Sequence, residues 1–357
     1  MTIRLLDDAA ARERLSQFIR SASAARSVAL TKVEPLRGGA IQENWAVDAE
    51  LDGGSKAGRH ELVLRADAAT RVAASHGRTQ EFALLCAAHG AGVTVPEPLW
   101  LCADRRVLGR DFYLMRRLPG IAAGHKIVRD PGLGGPREAL LIRLAGELAR
   151  IHRITPQTIA GFAPDHSFEF LSSPTASPAP DRVATYRRYL DEMTAKRPAL
   201  EWGLRWIELN PPSSRDITLV HQDFRTGNYL VDETGLTAIL DWEFCAWGDP
   251  MADIGWFCAK CWRFGANDKE AGGISSRKLF YDAYEKASGR KVDPASVRAW
   301  ETMAHLRWAV IALQQCARHL TGGEASLELA LTGRLVPELE LEILNLVDAA
   351  ETAGRVP

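Results

Sequence analysis

The stretch from Ile217 to Glu243 concentrates the side chains that could do chemistry. A short apolar run, Ile217-Thr218-Leu219-Val220, leads into His221-Gln222-Asp223-Phe224-Arg225-Thr226-Gly227-Asn228. Tyr229-Leu230-Val231 reads as a strand, Asp232-Glu233-Thr234-Gly235 as a turn, and Leu236 to Leu240 as the return strand, ending at Asp241. A hairpin centred on that turn carries Asp241 back beside Asn228, so Asp223, Asn228 and Asp241 converge on one point. Phosphoryl transfer from ATP needs such a set: a carboxylate beside the acceptor hydroxyl, and hard oxygen ligands for the magnesium on the triphosphate. Each residue alone also fits a polar loop whose aspartates only form turns. The full spacing in its strand context favours the chemical reading.

The elements that must position this set divide the chain in two. Residues 1–25 have amphipathic helical spacing through Leu5, Leu6, Leu15, Phe18 and Ile19. Strand patterns follow at Val33–Leu36, Asn44–Ala49 and Glu61–Arg65, the last two separated by the turn cluster Asp52-Gly53-Gly54-Ser55. A helix is expected from Thr79, as N-cap, to His89, then strands at Val93–Leu101 and Phe112–Met115. Leu118-Pro119-Gly120 breaks the pattern, and beyond it the chain is mainly helical: 137–154, 182–209, 276–288, 295–320 and 325–352, with a surface loop at Pro174–Pro180. The expected organisation is a small β-rich lobe, residues 1–118, and a larger helical lobe, residues 119–357.

Composition narrows the function classes. The 357 residues are 46% hydrophobic and 25% charged, with 44 basic against 45 acidic side chains and a net charge of -1. Nucleic acid or an anionic membrane as main partner would call for a concentrated positive field, which this balance does not supply. No apolar run reaches the ~18 residues of a membrane span, and Asp7 and Asp8 fall where a signal peptide would be apolar. A cytoplasmic location is therefore expected. Six cysteines without framework spacing suggest reduced thiols. Cys258 and Cys261, three apart, read as packing on one helix face beside Trp256 and Trp262 rather than as a metal or redox pair.

The segments LVHQDFRTGNYLVD, AILDWE and GDPMADIGWF resemble the aminoglycoside phosphotransferase family, the small-molecule branch of the protein-kinase-like fold. The resemblance implies an α+β, bilobal fold with a nucleotide-covering β-lobe and a helical lobe carrying the catalytic loop. It implies Asp223 as the base at the acceptor hydroxyl, and Asn228 and Asp241 as magnesium ligands. In the N-terminal lobe, Gly38 and Gly39 match the loop covering the nucleotide, and Arg65 stands where kinases carry a phosphate-binding lysine. Glu81 matches the helix glutamate that pairs with it, and Met115 falls in the segment that meets adenine through its backbone. Each has a plainer reading: a glycine hairpin, a helix-dipole glutamate, an edge strand. His221 and Glu243 are expected as supports, Asp253 as a brace of the catalytic loop, His152 as a packed histidine, and Asp249 as an N-cap before Pro250.

The implied activity is an ATP- and Mg2+-dependent transfer of the γ-phosphate to a hydroxyl of a small molecule. The acceptor is not legible: residues 161–210 carry seven acids against six bases, not the acidic excess a polycationic aminoglycoside would favour. Other members of the branch resemble kinases of hydroxyacyl thioesters, for which the arginines would suit. A catalytically silent nucleotide-binding or scaffold protein of the same fold is the alternative.

Overall fold

The computed structural model describes residues 5–36, 42–67, 75–172, 178–193, 195–212, 216–321 and 326–354. Helix α1 (Ala9–Ser23) starts at Asp8, whose side chain accepts the Ala10 N–H, and buries Ala11, Leu15 and Ile19. Strands β1 (Ser27–Pro35), β2 (Gln42–Asp52) and β3 (Gly58–Asp67) follow, then α2 (Arg78–Gly90), β4 (Pro98–Cys102), the short α3 (Arg105–Leu108) and β5 (Phe112–Arg116). The five strands form one antiparallel sheet in the order β1-β2-β3-β5-β4. Alternation along β3 buries Leu62 and Leu64 on one face with Trp45, Val47, Phe112 and Ile19. The central position of β3 sets Arg65 opposite Asn44 on one side and Tyr113 on the other.

After Arg116 come α4 (Gly124–Arg129), α5 (Arg137–Ile151), α6 (Ile159–Phe162), α7 (Pro178–Asp191) and α8 (Pro198–Leu209). Strand β6 (Thr218–Val220) pairs with β9 (Ala246–Gly248), and β7 (Tyr229–Val231) with β8 (Leu236–Ile239). Helices α9 (Pro250–Cys258), α10 (Arg277–Ser288), α11 (Pro294–Leu320), α12 (Leu327–Thr332) and α13 (Val336–Gly354) complete the chain. The apolar faces of α9, α10, α11 and α13 share one core with α5, through Leu144, Leu148, Phe257, Phe280, Leu306 and Ile343. No helix among the described residues is long and apolar enough to cross a membrane.

Several boundaries differ from the sequence pattern, each for a local reason. Val93 and Val95 are buried but lie outside β4, because Thr94 gives its N–H and hydroxyl to the buried Glu147 instead of a strand partner. Helix α2 is capped by Gly77, whose N–H donates to Gln80 Oε1, two residues before the expected Thr79. The expected Pro174–Pro180 loop is helical from Pro178, while residues 173–177 lie outside the described set. The 182–209 pattern is two helices, since Pro198 opens a new one as its first residue. The 325–352 pattern is likewise split, by a 3-10 turn at Gly333–Leu335. Cys258 ends α9 and Cys261 sits in the following 3-10 turn, so the pair does not share one helix face.

Candidate active site

The hairpin β7–β8 is set by its turn. Asp232 Oδ1 accepts from Thr234 N, Thr234 Oγ1 and Gly235 N at 2.8, 2.7 and 3.0 Å, a side chain closing the loop that the backbone leaves open. Tyr229 then faces Ile239, and the Leu240 N–H reaches the Asn228 carbonyl at 2.9 Å. That bond carries Asp241 to the end of the strand beside Asn228, as the spacing requires. Gly227, at φ 110°, makes the turn into Asn228.

Asp223, Asn228 and Asp241 are thus drawn to one end of the hairpin. Asn228 Nδ2 donates to the Asp223 carbonyl at 2.9 Å and to its carboxylate Oδ2. The other carboxylate oxygen accepts from Arg225 Nε at 3.1 Å and from the Trp256 indole N–H at 3.0 Å. Three bonds therefore fix where this carboxylate points. The loop itself is braced from below: Asp253, fully buried, accepts the backbone N–H of His221 at 2.6 Å and of Gln222 at 2.7 Å. Gln222 and Asp241 both hold left-handed backbone, φ 64° and φ 62°, a strained conformation for residues with side chains that persists only where neighbours enforce it. His221 links the two strained segments, accepting the Asp223 N–H at Nδ1 and meeting the Leu240 carbonyl through Nε2 at 2.9 Å. Behind Asp253, His152 joins it to the Tyr284 hydroxyl. Burial keeps that imidazole below its ordinary pKa despite Asp253.

From the sheet side, Arg65 reaches across. Its Nε lies 3.1 Å from Glu81 Oε2, and its terminal nitrogen lies 3.0 Å from Glu81 Oε1 and 2.8 Å from Asp241 Oδ1. Burial disfavours this guanidinium's charge, but Glu81 and Asp241 outweigh that and hold it well above the ordinary arginine value. Reciprocally, burial would lift Asp241, yet Arg65, helped by Arg225 and His221, keeps its carboxyl below the ordinary value. Glu81 is shared with Arg78, which also reaches Asp67 at 3.0 Å and Glu243 at 3.5 Å. Glu243 sits in the 3-10 turn after Asp241, where burial pushes its carboxyl up to about 7.

Direct bonds therefore join Asp223 to Asn228 and, separately, Arg65 to both Glu81 and Asp241, and the hairpin brings the two groups to the same end. Met115 is in β5, paired with Val63 and Pro98, and β5 is an interior strand rather than an edge. Gly38 and Gly39 lie outside the described residues. Asp249 caps α9 through the Met251 N–H, with Pro250 first in the helix. Three participants escaped the sequence reading. Arg78 left only its three-residue spacing to Glu81 as a signal; Arg225 lies inside the loop but has no pattern of its own; Trp256 reads as plain core.

The sequence profile of the phosphotransferase enzyme family matches residues 32–300. Mouse (Mus musculus) acyl-CoA dehydrogenase family member 10 is 34% identical over 206 residues, 56% of this chain and 18% of that protein, so the chain spans about a fifth of this relative. A Ralstonia eutropha JMP134 protein provisionally named an aminoglycoside phosphotransferase superposes with a TM-score of 0.73, at 21% identity over 95% of this chain and 98% of that one. The ternary complex of APH(2")-IIa with streptomycin and ATP gives a TM-score of 0.55 at 14% identity, over 88% and 91% of the two chains. At these identities the two structures speak for a shared kinase-like fold, while the profile covers most of the sequence: the chain belongs to the phosphotransferase enzyme family.

Proposed function

We propose that this chain is an ATP- and magnesium-dependent phosphotransferase acting on a hydroxyl of a small molecule. The observation that carries the reading is the bonded set Asp223–Asn228 and Asp241–Arg65–Glu81 at the end of one hairpin. The reading divides the work between a nucleotide-covering lobe, residues 1–118, and a lobe of residues 119–357 that holds the acceptor.

The donor set fits a magnesium ion. Among the described residues, Asn228 commits its amide nitrogen to Asp223, leaving Oδ1 without a hydrogen bond, and Asp241 engages Arg65 through Oδ1 alone. Two hard oxygens are left over, the kind that magnesium prefers. Bound there, the ion would neutralise charge on the β- and γ-phosphates.

In the reaction, the acceptor hydroxyl oxygen forms a bond to Pγ, and the bond from Pγ to the β,γ-bridging oxygen breaks, its electron pair leaving with ADP. The hydroxyl proton passes to the Asp223 carboxylate, held in place by Asn228, Arg225 and Trp256. Arg65 lies against the phosphates, its fork kept straight by Glu81, and Met115 lies along the adenine edge. Most of the rate gain comes from positioning and from fixed charge. The acceptor is a hydroxylated metabolite, a hydroxyacyl thioester being favoured by the acyl-CoA names of the curated relatives.

Incubating the protein with γ-labelled ATP, magnesium and a library of hydroxylated metabolites, thioesters included, tests this. Label transferred to one acceptor class, and none without magnesium, is expected. Nucleotide binding with no transfer to any member would favour a silent nucleotide-binding protein.

A further inference from the structure

One cavity adjoins the catalytic loop at Gln222. It opens between α7, the β6–β9 pair, α9 and α11, and its walls include Arg182, Tyr186, Gln222, Trp247, Trp256 and Arg307. Helices α9 and α11 meet closely at Gly255, where a Cβ would lie 2.8 Å from the Glu301 backbone nitrogen. That approach sets Arg307 of α11 against Trp256 of α9, its guanidinium 4.6 Å from the ring centroid. The N–H of the same indole donates to Asp223. Arg307 also donates to the Gln222 carbonyl, next to Asp223 in sequence. The cavity thus shares a wall with the carboxylate that faces the acceptor.

Its charge is unbalanced. No ion pair of the described residues involves Arg182 or Arg307, although Arg187, on the same helix as Arg182, pairs with both Glu201 and Glu208. The carboxylates on the cavity wall are turned inward. Asp249 accepts from Met251 N and the Trp300 indole, and Asp253 from His221, Gln222 and His152; they are 1% and 0% exposed. What the cavity offers a ligand is two guanidinium groups and aromatic faces. Burial, with Arg307 nearby, holds Arg182 below the ordinary arginine value, against the opposing pull of Tyr186 and Asp181.

We propose that this cavity receives the phosphate acceptor, and that Arg182 and Arg307 grip an anionic group on it, a carboxylate or a phosphate, while Tyr186, Trp247 and Trp256 cover its apolar part. The proposal rests on the phosphotransfer reading for the word acceptor only. Arginine suits the task because its planar fork meets two oxygens at once.

Tryptophan fluorescence of the nucleotide-free protein, titrated with 3-(4-hydroxyphenyl)propionate, phenyl phosphate and tyramine, tests it. The first two separate carboxylate from phosphate, and the amine is the cationic control of similar shape. At least one anion is expected to bind, with tyramine weaker by about tenfold or more, the scale of one charge-assisted bond. Arg182→Gln and Arg307→Gln should each weaken the anion by a similar factor, and Arg307→Lys by less. Arg307 holds the Gln222 carbonyl and its variant could misfold; Arg182, which makes no such bond, then carries the comparison, with the melting temperature as control. Tyramine binding as well as the anions, unchanged anion affinity in Arg182→Gln, or no anion binding up to about 10 mM overturns the proposal. Because nucleotide is absent, failure of MgATP to bind in a separate titration sinks the phosphotransfer reading without altering this result.

Discussion

Removing Arg65 tests the electrostatics of the centre in a quantity that needs no substrate. Arg65→Met keeps an unbranched apolar stem and deletes the charge that faces Glu81 and Asp241 at 3.0 and 2.8 Å. Breaking a buried ion pair from one side costs about 3–5 kcal/mol, because the partner charge is left without compensation. Two features put the expected cost near the lower end. Glu81 keeps Arg78, and the Asp241 side chain is 34% exposed, so water reaches it. A loss of about 3 kcal/mol in urea unfolding near neutral pH follows. The pH dependence has a definite sign. With Arg65 present, Asp241 has a lowered pKa, and its contribution holds above the ordinary aspartate value and fades as pH falls through the folded one. In the variant, burial dominates, the carboxyl titrates higher, and acid relieves the penalty. The gap between the two proteins should therefore be larger at about pH 7.5 than at about pH 5. Adding Glu81→Gln should recover part of the loss in a double-mutant cycle. A cost below about 1 kcal/mol, the same at both pH values, would refute the account of Arg65 as the charge that balances Asp241.

Three further outcomes follow from the same geometry. Calorimetry should show ATP binding much more weakly without magnesium, and Asp241→Ala should remove that dependence; equal affinity with and without the ion in both proteins would contradict the ligand assignment. If the guanidinium meets the phosphates as proposed, Arg65→Ala should weaken ATP while leaving adenosine affinity nearly unchanged; parallel losses would make its role structural. Glu243, raised to about 7 by burial, takes up a proton on folding between its ordinary value and that one, and so costs stability progressively as pH rises across that window. Glu243→Gln should gain on the wild type in melting temperature from about pH 5 to pH 7 and level off beyond, with an upper bound of about 3 kcal/mol at 1.36 kcal/mol per unit; a pH-independent difference would show that the carboxyl is ionised throughout.

The centre was legible because its chemistry lies in one short segment. A hairpin with an Asx turn at Asp232 fixes which residues return to Asn228, so Asp241 followed from counting positions. The sheet was legible for a similar reason, its turns marked by Gly53 and Gly54 and its core by alternation along Glu61–Arg65. Helix breaks were not, because a proline at the first position of α8 is compatible with both a start and a continuation until packing decides. Nor was the second arginine on Glu81. Arg78 looks like any exposed basic residue at a helix start, yet it is 2% exposed, ringed by Asp67, Glu81 and Glu243 from three separate segments. Trp256 fits an apolar helix face, and its bond to Asp223 depends on how α9 turns after Pro250. Arg182 and Arg307 lie far apart in sequence and meet at one cavity only through the packing of α7 and α11.

The most direct test of the central claim is the rate of γ-phosphate transfer by Asp223→Asn to an acceptor found in the library, measured beside its MgATP affinity. The asparagine keeps an oxygen for Arg225 and Trp256 but loses the charge that takes the proton. Transfer should fall by about 10²–10⁴-fold, the scale of a positioned general base, with MgATP affinity nearly unchanged. Transfer near the wild-type rate would contradict the assignment of Asp223 as the base.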